Sequence, residues 1–406
     1  MPMKPFFATL SLVIFAMLGP GSLLQAQEGR TYPLGLSLDL SGPESEVGNA
    51  YAKGVEDYFN YANERGMLNR DKIQCTIRDD KNHPPTVQKH FKEYLDKNIL
   101  LYLNYSAISG ALVPEVEREG LPMISASNPL DTPSNNIFSP GASHAQHLLA
   151  LAEFVAKHHR GRRARIALFV NPTALGKLPV ERLKKAVRSG LDAEVLEIVE
   201  DRDDLDRESA LKRMVGKGIQ YIICQTTHFP VAELLKASAR MGLTAKKFGQ
   251  PNRLTFLGGH GAGGKELIAL AGAAAEGYIW SSSLNSTSIP GRAAEKQLAL
   301  AKRYGRSGAI AHSHHYAAGI MAAQVALEAI RRAKLKGVEI DRQTLLRELN
   351  GMNGKNAFRP FTTMGPVTYS PTDRSGVDMI QLYTVKNGDL QKTGAPIRSI
   401  FMDSIN

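Results

Sequence analysis

The feature that most constrains this 406-residue chain is a change of hydrophobic period that recurs along nearly its whole length. Short apolar runs suited to buried strands alternate with stretches whose apolar residues return every three or four positions, as a helix lying on a sheet requires. Tyr32 to Leu40 reads as a strand, Val47 to Arg65 as a helix carrying Tyr51, Val55, Tyr58, Phe59 and Ala62 on one face, and Ile73 to Arg78 as the next strand. Val87 to Lys97 is again amphipathic, Ile99 to Leu103 is a short buried strand, Ala111 to Glu119 a helix and Pro122 to Ser125 a strand end. Such units join through right-handed crossovers, so the expected class is α/β with a mostly parallel sheet covered by helices. After a polar, turn-rich stretch from Asn128 to Ser143 the alternation restarts at Leu148 to His158 and runs to Leu257, which predicts a second sheet.

The N-terminus does not belong to this pattern. Lys4 precedes an apolar run from Phe6 to Leu18, and Gly19-Pro20-Gly21-Ser22 breaks it before a small-residue site at Ala26, the order of a secretory signal peptide. About 13 apolar residues are too few for a membrane anchor, which needs ~20. No Cys follows the run to carry a lipid, so residues 1–26 are expected to be removed and the remainder exported without a lipid anchor. Cys75 and Cys224 lie in separate strand-like runs and are expected to stay unpaired thiols.

Composition matters here for one question, the formal charge of +11, which raises nucleic acid or an anionic membrane as a partner. The basic residues are scattered, with Arg160 to Arg165 the densest run, and no aromatics interleave them as a strand-binding groove requires. No nucleic-acid partner is expected. Chemical motifs are equally sparse. Gly259, Gly264 and Lys265 have the spacing of a phosphate loop, but Glu266 stands where a metal-ligating hydroxyl belongs. This stretch reads instead as a strand-to-helix turn. Asp79-Asp80 reads as a turn and helix cap ahead of Pro84-Pro85. His312, His314 and His315, with His260 and His228, offer imidazoles of the metal-ligand kind. They lack a nearby Cys or carboxylate pattern, so they read as polar residues capping a helix and lining a cleft, with His312 and His315 on one helix face. No metal, no cofactor and no enzymatic activity are expected.

In parallel sheets, ligands lie at the carboxyl ends of strands. The loops that follow the predicted strands are Asp39 to Gly48, Asn104 to Gly110, Ser125 to Pro129, Val170 to Gly176, Gln225 to Pro230 and Gly258 to Gly264. They are rich in Ser, Thr, Asn and Gly.

The segments LGLSLDLSGPESEVGNAYAKGVEDYFNYANERG, IRDDKNHPPTVQK, EREGLPMIS, ALAGAAAEGYIW and GPVTYSPTDRSGVDMIQLYTVKNG occur in an order that resembles the branched-chain amino acid (Leu/Ile/Val) binding proteins of ABC importers. The resemblance implies a type I periplasmic binding protein: two Rossmann-like lobes joined by three crossovers, closing on a small molecule. Lobe one would comprise residues 31–143 and 284–377, and lobe two residues 144–283 and 378–406. It further implies a periplasmic monomer serving a permease and ATPase in the inner membrane. A sensor of the same fold, reporting to a regulator or kinase, is the alternative.

Matched loop by loop, the hydroxyls that hold a ligand carboxylate fall on Ser106 and Ser127, with Asn104 beside them. Thr227 and Phe229 come from the opposite lobe. The acid that accepts a ligand ammonium corresponds to His260, and the framing aromatics to Val47, Leu175 and Ala311, with His312 completing the wall. Losing that acid would leave a buried ammonium unpaired, a cost of ~3–5 kcal/mol. The resemblance therefore implies a carboxylate, an amide or an apolar or aromatic acid as ligand, in preference to a standard α-amino acid.

Overall fold

A computed structural model describes residues 29–126 and 134–400, besides Met1. The expected signal peptide and Ser127 lie outside the described residues. The first sheet contains β1 (Thr31–Leu38), β2 (Lys72–Asp79), β3 (Leu101–Asn104), β4 (Met123–Ser125) and β5 (Ile137–Phe138), all parallel, in the order β2-β1-β3-β4-β5. The second contains β6 (Ala164–Val170), β7 (Ala193–Glu200), β8 (Tyr221–Gln225), β9 (Thr255–Gly258), β10 (Ile279–Ser282), β11 (Ile380–Lys386) and β12 (Asp389–Ile397). Its order is β12-β11-β10-β9-β8-β6-β7, parallel except that β11 runs antiparallel to both neighbours. Asn387 and Gly388, at φ +54° and +73°, make the tight turn between β11 and β12, a conformation that Asn-Gly adopts readily.

The two sheets are not consecutive along the chain. One apolar core joins Leu34, Leu36 and Phe138 of the first sheet to Tyr316, Ile320, Val325, Leu345 and Tyr369, whereas residues 380–397 return to the second sheet. Among the described residues the chain thus passes between the sheets three times: after β5, after β10 and before β11. β5 sits inside the stretch read as turns, because a two-residue strand is too short to show a period.

The helix Ser45–Glu64 covers the first sheet and crosses the almost wholly buried helix His314–Leu335. Gly54 and Gly319 meet at the crossing, and a Cβ on either would stand 2.2 Å from a backbone oxygen of the opposite helix. Beside it, the buried Asp57 accepts hydrogen bonds from Arg306 Nε and the Tyr316 hydroxyl, both at 2.8 Å. Removing one partner of such a pair strands a charge, although the Tyr316 hydroxyl and the partial exposure of Arg306 soften the loss. Arg306→Met is expected to destabilise the protein by about 2 kcal/mol, read as a lower urea midpoint at unchanged slope; an unchanged midpoint would show that Arg306 contributes nothing.

The loops are fixed by turn chemistry that the sequence indicates only in part. Asp79 accepts from Leu40 N, Ser41 Oγ and Lys81 N, and Asp80 from Ser37 Oγ and Asn82 N. The pair does form a turn, but it does not cap the helix Pro84–Asp96: the cap position is His83, with no side-chain bond. Steric room accounts for part of the Gly259 to Gly264 stretch, since a Cβ at Gly263 would overlap the Trp280 ring at 2.1 Å. Lys265 pairs with Asp389 at 2.7 Å. Cys75 and Cys224 are unpaired and belong to different sheets.

Candidate functional site

Parallel strands present their carboxyl ends in one direction, and here both sheets do so onto one cavity of about 220 Å³. Leu38 and Asp39 arrive from β1, Tyr105 and Ser106 from β3, Asn171 from β6, Thr227 from β8 and His260 from β9. Five of the six loops selected from the sequence contribute to its wall. A larger depression of about 830 Å³, around Phe248 to Leu254, lies at the amino ends of second-sheet strands, where parallel sheets do not place ligands.

Of the residues singled out in the sequence, Val47, Ser106, Thr227 and His260 line the cavity. Ser106 caps a short 3-10 helix, its Oγ accepting from Ile108 N at 3.4 Å, which leaves the hydroxyl proton available to a ligand. Asn104 is buried behind it and holds the loop: its Oδ1 accepts from Ser106 N, and its Nδ2 donates to Ser106 O and Ser125 Oγ. Phe229 is absent from the cavity wall and lies on the His228 ring, with centroids 4.3 Å apart. Leu175 belongs to the helix Ala174–Arg188, and its side chain lies outside what is described.

Two expectations are corrected. Ala311 packs in the first-sheet core, with its carbonyl accepting from Gln297, and does not reach the cavity. His312 turns away to Thr287 Oγ1 at 2.9 Å. The reason is Ser313, which ends the helix Gly308–His312 in extended backbone and caps the helix His314–Leu335. His312 and His315 consequently share no helix face, and His315 is the imidazole in the wall.

The sequence gives no direct sign of how many imidazoles gather here. His144, His228, His260 and His315 line the cavity, with His147 behind them against His260 at a ring separation of 5.6 Å. Burial keeps them neutral. It lowers His144 to about 4, His147 to about 3 with the help of His144, and His228 to about 4 with the help of His314. His260 and His315 fall well below the ordinary histidine value by burial first, then by neighbouring imidazoles. The Tyr105 hydroxyl meets His315 Nδ1 at 2.8 Å, and its ring stacks on Tyr51 at 4.3 Å.

A buried carboxylate also stands close by. Glu266 accepts from Ser313 Oγ at 2.6 Å and faces His314 Nδ1 at 3.1 Å. Burial would raise its pKa, but the His314 imidazole and the Ser313 hydroxyl bonded to it hold it well below the usual carboxylate range. It does not line the cavity that contains Ser106 and His260. The acids that do are Asp39, whose oxygens accept from Gly42 N and Glu44 N, and Glu44, whose carboxyl is raised by burial and by Asp39. The wall contributed from the second sheet contains hydroxyls, an amide and neutral imidazoles, and no acid.

Residues 31–389 match the family described as periplasmic binding protein. Leu/Ile/Val-binding protein homolog 1 of Brucella suis biovar 1 is 24% identical over 256 residues, or 61% of this chain and 65% of its own length, so the chain spans just under two thirds of that relative. The structure of a branched chain amino acid ABC transporter from Thermus thermophilus with bound valine superimposes with a TM-score of 0.84 at 31% identity, covering 93% of this chain and 99% of that one. A solute binding protein of an ABC transporter from Rhodopseudomonas palustris BisB5, in complex with 3,4-dihydroxy benzoic acid, shares the fold at a TM-score of 0.73 and 18% identity, covering 91% and 98%. No helix among the described residues is long and apolar enough to cross a membrane.

Proposed function

The chain belongs to the periplasmic binding protein family, whose members bind substrates and do not transform them, and from that premise we propose that it is the exported receptor of an ABC importer. It captures a small organic molecule between lobe one (residues 31–143 and 284–377) and lobe two (residues 144–283 and 378–406), then delivers it as a monomer to a permease and ATPase. Ser106 and Ser127 hold the ligand in the open form, with Asn104 positioning the Ser106 loop. Closure brings Thr227 and His260 onto it from the other side, with Val47 as the apolar wall.

The observation that carries the ligand class is the acid-free second-sheet wall opposite Ser106. A neutral imidazole exchanges hydrogen bonds with a carboxylic acid, amide or hydroxyl, but gives an ammonium no counter-charge. A carboxylate, amide or apolar or aromatic acid therefore fits this wall better than a standard α-amino acid. Solved structures of this fold hold both chemistries, valine in one and a dihydroxybenzoic acid in another. Valine in the 31%-identical structure favours the second reading, an amino acid whose ammonium turns to Glu44.

A thermal-shift screen of amino acids, organic acids, amides and aromatics, confirmed by calorimetry, separates the two. Stabilisation by an acid or amide and none by Leu, Ile or Val is expected; clear stabilisation by those three would overturn the assigned ligand class. For the ligand found, Ser106→Ala is expected to weaken binding about tenfold, the value of one hydrogen bond to a charged group. Unchanged affinity would remove Ser106 from the site. A sensor kinase gene adjoining this one, in place of permease and ATPase genes, would favour the sensing role.

A further inference from the structure

The fold supplies the carboxylate that the histidine-rich segment lacks in the sequence. Glu266 stands on the helix Gly264–Ala271, 48 residues before His314, and the two meet only because that helix packs against the start of helix His314–Leu335. One donor atom each from Glu266, His314 and His315 all lie within 4.8 Å of one another. Ligands of a tetrahedral ion with bonds of ~2.1 Å stand roughly 3.4 Å apart, so small side-chain rotations bring this trio to bonding distance.

Around the trio, one ring nitrogen of each histidine has no hydrogen-bond partner. His315 Nδ1 is engaged by the Tyr105 hydroxyl, and its Nε2 is buried with no hydrogen-bond partner. A hydroxyl that accepts the Nδ1 proton fixes Nε2 as the lone-pair nitrogen, the outer partnership by which metal-binding imidazoles are oriented. His314 Nε2 is likewise buried without a partner. Ser313 Oγ donates to Glu266 Oε1, while Oε2 faces His314 Nδ1 at 3.1 Å, a contact in which a bound ion would take the place of the shared proton. Orphaned buried nitrogens carry a desolvation cost that coordination would offset. A cavity of about 420 Å³, bounded by Glu46, Glu266, Ser313 and His315, gives an ion a way in.

We infer that Glu266, His314 and His315 form a binding site for a divalent transition-metal ion of the zinc, cobalt or nickel kind, with further positions open to water. Two imidazoles and one carboxylate select such ions over magnesium or calcium, which require mostly oxygen donors. The inference does not depend on the organic ligand proposed above, and metal alone tests it.

The mature protein, freed of metal by chelation and dialysis, is titrated with ZnCl₂ by calorimetry. One Zn²⁺ per chain with micromolar or tighter affinity is expected, weakened about 100-fold or more in Glu266→Gln and in His315→Gln, and unchanged in His83→Ala, which removes a distant imidazole. Far-UV circular dichroism and melting temperature establish that each variant is folded. Should Glu266→Gln fail to fold, His315→Gln and the visible spectrum of the Co²⁺-loaded wild type, whose intense bands mark a low-coordinate nitrogen and oxygen site, carry the test. Zn²⁺ binding only at millimolar concentration, or tight binding equally strong in both substituted proteins, would overturn the assignment.

Discussion

Gly319→Ala is expected to destabilise the protein by about 3 kcal/mol, against the usual direction of this substitution. In an exposed helix, glycine to alanine gains about 1 kcal/mol, because alanine loses less conformational freedom on folding. At Gly319 the new Cβ would stand 2.2 Å from Tyr51 O and 3.0 Å from Val55 N, and Gly54 faces it with the mirror contact to Tyr316 O. Both neighbours are backbone within packed helices, so relief requires the helices to move apart and to loosen Tyr51, Val55, Tyr316 and Ile320 in the largest core. Gly216 is the control: it too is helical, its Cβ would meet nothing within 4 Å, and alanine there is expected to leave stability unchanged or slightly raised. Urea unfolding of the three proteins decides the matter. A Gly319→Ala midpoint equal to or above wild type would show that the helices are not in backbone contact.

The second large effect is acid sensitivity from His144 and His147. In the unfolded chain both titrate near 6.5, whereas burial lowers them in the native state to about 4 and about 3. The unfolded state therefore binds protons that the native state refuses. Their contribution is fully present above pH 6.5 and is lost as pH falls from there towards 4, each group contributing a slope of about 1.4 kcal/mol per pH unit. Between pH 7 and pH 5 the pair is expected to remove roughly 3–4 kcal/mol of stability. The groups facing His147 are the Ser281 hydroxyl at 3.0 Å, the His260 ring and His144, none of which supplies a compensating negative charge. Glu44 and Asp201, raised by burial, act in the opposite sense. Comparison with the double substitution His144→Phe, His147→Gln cancels them. Urea midpoints at pH 7, 6 and 5 should fall steeply in wild type and less in the variant. Equal pH slopes in the two proteins would exclude these histidines as the cause.

How far the sequence reached can be followed residue by residue. The strand Ala164–Val170 and the helix read over Leu148 to His158, which in the structure starts at His144, were readable because burial against one sheet forces a period, and a period is local. The two-residue β5 was not, being shorter than any period. The loops that carry Ser106, Thr227 and His260 were legible because they follow strand ends, and a parallel sheet sends every strand end to one side; the residues themselves, with Val47, came from the family resemblance. His312 was misplaced because a single residue, Ser313, breaks the helix and exchanges it for His315. His144 and His147 carried no local signal: they head a helix whose N-terminal turn faces the cavity, which no spacing within that helix declares.

By itself the sequence determined the α/β class, the family and the loops that surround the site, since each follows from periodicity, order of motifs and the polarity of parallel strands. Only the tertiary structure decided which side chains meet. Glu266 beside His314, Tyr105 on His315, Asn104 behind Ser106 and Gly54 against Gly319 are contacts set by helix packing and by the direction of a backbone at one or two residues. That direction is fixed by close packing of segments remote in sequence, and no pattern within a single segment encodes it.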